Sequence, residues 1–405
     1  MHWSGSLGGG ALIGATSMAK LRTNGNVLGV SGIVGSLTHS DLSFEDRLER
    51  LAFLCGLLLA GALLKAILPA AFDALLINSQ RGLKVDGLWR TRIAGLLVGF
   101  GTARGNGCTS GHGVTGISRC SLRSIAASAT FVAVGCFAAT VSKAKLWHSQ
   151  RSLLLTSSPP LTGDFASAKL SLATAAITLL VPGLVVSWSQ RDLPLWRDKT
   201  SRNTRAEGTV MARRARRSVA RQILDASFGL SFGLGLGFAG MTSPARVVGF
   251  LDLGRGVNSI DFSVLLVMGA AVLTATPLYM LWTCQGDLDK APPLMAEEYS
   301  LSSLNRRVDV KLLSGAAIFG VGWGLIGLCP GPALVSLGGF LGPILLSIAQ
   351  CVLGSLSGRH QVSSKAFSDA SLAITFNTAM FLGWFLNYVL EKDAASGFGH
   401  GVIEK

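Results

Sequence analysis

The chain has 405 residues, of which 49% are hydrophobic and 14% are charged, and its mean hydropathy is +0.48. Globular domains carry about 25% charged residues, so this composition excludes an ordinary soluble protein and predicts an integral membrane protein. The formal net charge of +14 is concentrated in one segment, because residues 191–221 carry ten Lys and Arg against three acidic residues. Such a segment is typical of a cytosolic loop. Nucleic-acid binding is not indicated, because aromatic side chains do not interleave with the basic ones.

Two apolar stretches open the first half. Residues 8–24 are glycine-rich and contain Lys20 and Arg22, which predicts a short or re-entrant helix; the segment 27–37 is too short to cross a bilayer. Two residues are alternative caps of the next helix: Ser43, three residues before Asp46, and Asp41, three residues before Phe44. The segment 51–72 has the length of a full span, and further helices are predicted at 92–103, 121–141 and 170–188.

The second half follows the basic segment. Helices are predicted at 222–240, 262–284, 310–328, 333–356 and 367–390. The predicted organisation is therefore a first membrane repeat over 1–190, a cytosolic linker over 191–221, a second repeat over 222–390 and a polar tail over 391–405. Each half contains about five helical segments, nine to ten in total. An odd number of crossings per half would make the repeats inverted and an even number would make them parallel; both remain open.

One glycine-rich stretch, residues 99–113, interrupts the helix that precedes it. It contains six glycines together with Arg104, Cys108 and His112. Glycine lowers helix propensity and lets the backbone approach a ligand closely. Irregular polar backbone at membrane depth persists only where it is buried in protein or lines a cavity. This stretch therefore predicts half of a pore or binding site.

A second stretch, residues 320–332, repeats the same plan. A Gly-x-Gly pair ends seven residues before the cysteine in both places, at Cys108 and at Cys329. Upstream, Gly29 precedes the first cysteine by 79 residues and Gly249 precedes the second by 80. Two matched motifs at matched spacing predict an internal duplication whose two loops meet at a central pore.

The sequences Gly-Asn-Gly-Cys-Thr-Ser-Gly-His-Gly-Val at 105–114 and Gly-Leu-Cys-Pro-Gly-Pro-Ala-Leu at 327–334 resemble the YeeE/YedE family of sulfur-compound transport proteins. Residues 240–252 look like a companion half-length protein, so the chain resembles a fusion of the two. The resemblance implies a helical membrane protein of about nine spans, with broken-helix loops dipping from both faces to a cysteine-lined constriction. It also implies transport of thiosulfate or a related small sulfur anion.

The resemblance carries over to Cys108 and Cys329. A thiosulfate-transporting branch of the family also has a cysteine in its first inward loop, whereas residues 20–32 contain none. A related sulfur species is therefore an equally good substrate. The candidate pore residues are Cys108, Cys329, Gly107, Thr109, Ser110, His112, Arg104, Ser243, Arg246, Pro330 and Gly331.

The chemistry expected of this set is weak anion binding. Glycine-rich backbone supplies N–H donors, the hydroxyls donate, and the arginines bias the approach path. Neutral thiols add weak donors, and burial favours the neutral form. A site that admits and releases an ion must bind it only moderately. Besides the anion, the expected partner is the lipid bilayer; no cofactor, no metal and no nucleic acid are expected, and the oligomeric state is open.

Three alternatives accompany this hypothesis. The first is a membrane enzyme in which Cys108 forms a persulfide with His112 as its base, although no soluble catalytic domain supports it. The second is a transporter of an unrelated small solute. The third is a set of alternative roles for two residues. His112 is expected to order the loop and not to bind a metal together with Cys108. Asp252 is either a coupling carboxylate or a charge at a helix end.

Overall fold

The computed structural model describes residues 3–68, 86–142, 202–255, 260–284, 307–352 and 364–397, with a few single positions in 184–187 and 293–300. The regular structure of these ranges is helical, apart from one isolated bridge between Asn26 and Ser300. The helices are α1 (Trp3–Asn24), α2 (Val30–Gly35), α3 (Phe44–Ile67), α4 (Asp86–Arg104), a π-helix (Thr109–Gly116), α5 (Leu122–Val141), α6 (Arg202–Phe238), α7 (Pro244–Leu251), α8 (Ser263–Cys284), α9 (Val310–Ile326), α10 (Pro330–Val352) and α11 (Ser364–Gly397), and short 3₁₀ turns follow α2 and α7.

Local signals explain several helix ends. Ser43 accepts a hydrogen bond from the backbone N–H of Asp46 and caps α3, so of the two predicted caps it is Ser43 and not Asp41 that is used; Asp309 caps α9 in the same way. Gly327 ends α9 in the left-handed conformation, at φ 75°, which a residue with a Cβ rarely adopts. These signals act within one turn of the chain, so the sequence alone predicts them.

The expectation of a short or re-entrant first helix is wrong. Helix α1 runs without interruption for 22 residues, and Lys20 and Arg22 lie near its end. The polar side chains are accommodated because most of this helix is buried between α6 and α8 instead of facing lipid. The mean hydropathy of a sequence window does not identify a helix whose polar side chains are buried against other helices.

Four helices of the described ranges have the length and apolarity to cross a membrane: α3, α5, the Ser263–Leu281 part of α8 and the Ala373–Lys392 part of α11. Helix α9 and the first part of α10 satisfy the same test together, with a bend of 43° between them. The chain is therefore an all-α, multi-pass membrane protein, as predicted. The span predicted at 170–188 lies outside the described residues, apart from single positions.

The long helices form two rows, and glycines set the contacts within the first row. Its order is α8, α1, α6, α3 and α10. A Cβ on Gly14 would collide with the backbone of Ala271 in α8, and a Cβ on Gly229 would collide with the backbone of Phe53 in α3. Small residues at such crossings let membrane helices pack backbone to backbone.

The second row has the order α5, α9, α4 and α11. Here Gly324 packs against Gly135 of α5, and Gly315 packs against Gly105 at the end of α4, again without room for a Cβ. Each row takes two long helices from the first half of the chain and two or more from the second. The rows, and not the sequence halves, are therefore the packing units.

Helices in corresponding positions of the two halves run in opposite directions. Lys20 near the end of α1 meets Asp225 in the middle of α6, and Gly9 near the start of α1 meets Ala239 beyond the end of α6, so these two helices are antiparallel. Helix α4 is antiparallel to α9 in the same way. Because α8 runs parallel to α1 and α3 runs parallel to α6, α3 and α8 are also opposed. An inverted duplication produces these directions; the repeat itself and the proposed boundaries stay predictions.

The predicted basic linker and the predicted polar tail both contain helical residues. Helix α6 begins at Arg202, within the predicted linker 191–221, and residues 191–201 lie outside the described part. Helix α11 extends to Gly397, so the predicted tail 391–405 starts as helix. The cytosolic location of the linker stays a prediction.

Candidate functional site

A cavity of about 240 Å³ lies between the two rows of helices. Helices α1, α6 and α8 form one wall, α5 and α9 form the other, and the broken segments around α2, the π-helix, α7 and the start of α10 fill the space between them. The polar or sulfur-containing side chains that line it are Cys108, Thr109, Ser110, Ser128, Met241, Met268, Trp323 and Cys329. The other described lining residues are apolar apart from one glycine, and none of the lining residues is acidic or basic.

The first broken segment places Cys108 at the cavity. Cys108 has extended backbone and precedes the π-helix, whose first residues turn Thr109 and Ser110 to the same side. The Cys108 Sγ lies 3.2 Å from the Ser110 Oγ, which also accepts a hydrogen bond of 3.1 Å from the backbone N–H of Val30 in α2. The contact with Val30 joins the start of α2 to the segment around Cys108.

The second broken segment places Cys329 opposite the first. The Thr109 hydroxyl donates a hydrogen bond of 3.5 Å to the Cys329 Sγ, so two segments 220 residues apart in the chain meet at the cavity. Both cysteines are buried and free of disulfide bonds. The structure thus brings together Cys108, Thr109, Ser110 and Cys329, and Gly331 lies in the same lining.

His112 holds the first segment in shape from behind. Its Nε2 lies 3.1 Å from the Gly105 carbonyl oxygen, and its Nδ1 lies 3.2 Å from the Ser124 hydroxyl. A carbonyl only accepts, so Nε2 carries the proton and Nδ1 accepts from the serine. The ring also packs against Gly107, where a Cβ would overlap it. His112 does not line the cavity, and this geometry supports the loop-ordering interpretation.

The remaining predicted residues lie outside the cavity lining. Arg104 donates from Nε to Ser314 at 3.0 Å, near the start of α9. Arg246 donates to the Ala239 carbonyl at 3.4 Å and packs over the turn at Gly240. Ser243 is buried at the start of α7, and Pro330 is the first residue of α10. These four residues shape the broken segments instead of lining the cavity.

Trp323 and Ser128 were not among the predicted residues, yet both line the cavity. The Trp323 side chain is buried with its indole N–H beside the Cys329 thiol, but the N–H has no hydrogen-bond partner of normal geometry. The Ser128 hydroxyl is also buried without a partner. Trp323 stands inside the duplicated glycine motif, which is the signal that could have identified it; Ser128 lies within an ordinary apolar helix and gives no such signal.

The N-termini of three helices lie at or next to the cavity and add a partial positive charge there. Helix α2 starts at Val30 and the π-helix starts at Thr109, and both residues line the cavity; α10 starts at Pro330, one residue before the lining residue Gly331. The N-terminus of a helix carries a partial positive charge and unpaired N–H groups. The Val30 N–H already donates to Ser110 and Pro330 has no N–H, so these ends contribute their partial positive charge, which together with the hydroxyl, thiol and indole donors favours an anion over a cation.

Two family models match the chain. The model described as "Sulphur transport" matches residues 29–138, and a "Family of unknown function (DUF6691)" matches residues 221–360. The two matches fall in different halves of the sequence. The first contains the Cys108 segment and the second contains the Cys329 segment.

Curated relatives cover about a third of the chain each. A "Probable transporter" of Xylella fastidiosa (strain 9a5c) is 42% identical over 128 residues, which is 32% of this chain and 82% of the relative. A second "Probable transporter", from strain Temecula1 of the same species, is 40% identical over 139 residues, or 34% of this chain and 88% of the relative. No solved structure matches the chain.

Proposed function

The chain belongs to the YeeE/YedE family of sulfur-transport membrane proteins, and from this premise we propose that it moves a small sulfur-containing anion through the cavity between Cys108 and Cys329. Thiosulfate or a related species is the proposed substrate. The matching family model is described as sulphur transport and the relatives as probable transporters, which supports membrane transport of a sulfur-related substrate. The identity of the anion and the part played by the cysteines are the new claims.

The observation that carries the proposal is the contact between Thr109 and Cys329 across the cavity. It joins the two cysteine segments, which the sequence places in separate halves. A cavity at this junction is lined by broken segments from both halves of the chain, which is the arrangement expected for a central constriction. The two buried cysteines lie at this junction.

The chemistry of the lining favours a soft, weakly hydrated anion. Desolvating a charge is costly unless hydrogen bonds replace the lost water. The cavity offers thiol, hydroxyl and indole donors, but no described lining residue carries a charge. Sulfate and thiosulfate carry the same double charge, but sulfate is the more strongly hydrated of the two, so it loses more when it leaves water for this lining. An anion with an exposed, polarisable sulfur suits the apolar walls and the thiols better.

Neutral thiols are required for this role. A thiolate would repel the anion, whereas a neutral thiol is able to donate to it, and both thiols are buried in an apolar lining. A thiol donates only weakly, which allows release as well as binding. Neither cysteine needs to form a covalent bond with the substrate.

The test is uptake of ³⁵S-labelled thiosulfate into proteoliposomes. Wild type is compared with the double variant Cys108→Ala/Cys329→Ala, and the matched control is Cys55→Ala/Cys136→Ala, which removes two cysteines outside the cavity lining. We expect uptake to fall at least tenfold in the first variant and to be unchanged in the control. Elution as a single species in size-exclusion chromatography establishes that both variants are folded.

The outcomes separate the alternatives. Unchanged uptake in the folded cavity variant would refute the role of the thiols. Competition by excess unlabelled sulfide or sulfite, but not by sulfate, is expected for a carrier of soft sulfur anions. Equal competition by sulfate, or no uptake at all by folded wild type, would overturn the proposed substrate.

A further inference from the structure

Among the described residues that line the cavity, two carry a buried N–H or O–H group without a hydrogen-bond partner. They are Ser128 of α5, which is 9% exposed, and Trp323 of α9, which is 3% exposed. A buried donor without a partner costs free energy, because its hydrogen bonds to water have been lost. Most buried polar groups are therefore paired. Two unpaired donors in the lining of one cavity indicate that a molecule bound there completes their hydrogen bonds.

The polar groups of the broken segments differ from these two side chains. The Thr109 hydroxyl donates to the Cys329 Sγ. The Ser110 hydroxyl lies 3.2 Å from the Cys108 Sγ and accepts from the backbone N–H of Val30. These groups thus already have contacts within the protein. The donors that remain for a ligand lie on the wall that α5 and α9 form.

The hydroxyl of Ser128 also departs from the usual behaviour of a hydroxyl in a helix. Such a hydroxyl commonly donates to the carbonyl oxygen four residues earlier. Thr130 does so in the same helix, as do Ser17 in α1 and Thr102 in α4. Ser128 forms no such bond. Its O–H is therefore available to a ligand in the cavity.

Phe131 lies between the two donors on this wall. It follows Ser128 by three residues on α5, lines the cavity, and packs edge-on to Trp323 at 5.9 Å between ring centres. Residues three apart in an α-helix are neighbours on one face, so Ser128 and Phe131 face the cavity together. The wall therefore carries an O–H and an N–H donor, and the thiols of the broken segments line the same cavity.

The two kinds of donor suit different atoms of an anion. O–H and N–H groups form short, strong hydrogen bonds with an anionic oxygen. Thiols are weak donors and polarisable, which suits contact with a polarisable sulfur atom. An anion that carries both oxygens and an exposed sulfur uses both sets of donors. Hydrosulfide has no oxygen for the wall, and sulfate has no exposed sulfur for the thiols.

We propose that Ser128 and Trp323 hold the oxygen atoms of the transported anion, whose sulfur points to Cys108 and Cys329. The inference rests on the proposed function and narrows the substrate to a sulfur oxyanion with an exposed sulfur, such as thiosulfate or sulfite. Ser128 determines specificity, because its hydroxyl contributes to the binding of such oxyanions and not to the binding of hydrosulfide. The anion stays bound by hydrogen bonds alone.

The experiment compares three sulfur anions in wild type and in Ser128→Ala. KM is measured for uptake of ³⁵S-labelled thiosulfate and of ³⁵S-labelled sulfite into proteoliposomes, and the inhibition constant of unlabelled sulfide is measured against thiosulfate uptake. Loss of one hydrogen bond to an anion should raise both KM values by roughly tenfold. The inhibition constant of sulfide should stay as in wild type.

Ser128→Ala should fold as well as wild type. Alanine favours the helix, and the hydroxyl that is lost has no partner within the protein. The matched control is Thr130→Ala, which removes a hydroxyl that donates to the Ala126 carbonyl within α5 and lies outside the cavity lining. This control should leave all three constants unchanged.

A second variant separates the donor from the volume of the side chain. Ser128→Cys nearly keeps the size of the side chain but replaces a strong donor by a weak one. We expect it to raise both KM values in the same way as Ser128→Ala, and it also serves as the test if the alanine variant does not fold. Wild-type KM values in Ser128→Cys would show that volume and not the donor matters, and would overturn the proposal.

The remaining outcomes separate this proposal from the proposed function. Unchanged KM values for thiosulfate and sulfite in folded Ser128→Ala would overturn the role of the hydroxyl and leave the proposed function intact. An equal loss of affinity for all three anions would also overturn it, because a general disturbance of the cavity does not discriminate between oxyanions and sulfide. No uptake of either labelled anion by folded wild type would instead refute the proposed function, and this assignment with it.

Discussion

Replacing Trp323 by phenylalanine should weaken substrate binding without losing a hydrogen bond from the empty protein. The indole is buried, stacked on Phe319 at 6.0 Å between ring centres and edge-on to Phe131 at 5.9 Å, and its N–H has no partner of normal geometry. Phenylalanine keeps these aromatic contacts and removes the donor. We therefore expect the N–H to act on the bound anion and not on the fold.

The size of the effect follows from this difference. A hydrogen bond to a charged group contributes roughly 1.5 to 3 kcal/mol, and each 1.4 kcal/mol is about tenfold in affinity. We expect KM for the transported anion to rise roughly ten- to hundredfold in Trp323→Phe. The smaller ring costs some packing, about 1 kcal/mol in the free energy of unfolding.

Trp384→Phe is the matched control for this prediction. Trp384 is equally buried, but its indole N–H donates to the Thr102 hydroxyl at 3.0 Å and it lies outside the cavity lining. The same loss of ring volume is therefore accompanied by the loss of a real hydrogen bond, which adds about 1 kcal/mol of destabilisation. Thermal unfolding in detergent and concentration-dependent uptake measure the two effects separately. An unchanged KM in Trp323→Phe, or an equal rise in both variants, would refute the assignment of the N–H to the substrate.

Three further predictions concern the segments that build the site. Gly107→Ala should displace the imidazole of His112, lower the free energy of unfolding by about 1 to 3 kcal/mol and reduce uptake, as thermal melting and proteoliposome assays would show. Asp309→Ala should lower the free energy of unfolding by about 1 kcal/mol through loss of the α9 cap. The carboxylate accepts hydrogen bonds from the Leu312 N–H and from Arg123, and these lower the pKa of Asp309 below its ordinary value. The difference in melting temperature should therefore persist at pH 5 and shrink only as the pH falls through the lowered pKa. Gly61→Ala should disrupt the contact of α3 with α10 and reduce the melting temperature by several degrees, whereas Gly269→Ala, where a Cβ meets nothing within 4 Å, should leave it unchanged.

The parts of the fold that the sequence predicts depend on local chemistry. Apolar length identifies α3, α5, α8 and α11, and the serine before α3 predicts its cap. The duplicated Gly-x-Gly and cysteine spacing identifies both broken segments and places Cys108 and Cys329 in one site. Each of these signals is carried by residues close together in the chain, so no knowledge of tertiary packing is needed.

The parts that the sequence does not predict depend on partners far away in the chain. Lys20 looks like an interruption of an apolar helix until Asp225, 205 residues later, is placed beside it. Arg104 and Arg246 are plausible anion ligands by type, but their hydrogen bonds go to Ser314 and to backbone. Trp323 is an ordinary apolar residue until the packing around Cys329 leaves its N–H without a partner. Pairing of this kind is a property of the folded chain.

The arrangement of helices in rows restricts how the protein can move. Helices α1 and α6, from different halves of the chain, cross with backbone contact at Gly9 and with the buried ion pair at Lys20. Rocking one sequence half against the other would have to separate this crossing and that of α4 with α9. The cavity, by contrast, lies between the rows, and short broken segments line it. Few hydrogen bonds connect these segments to one another; one of them runs from Thr109 to Cys329. Passage of an anion through small movements of these segments is therefore less costly than a rigid-body motion of the halves.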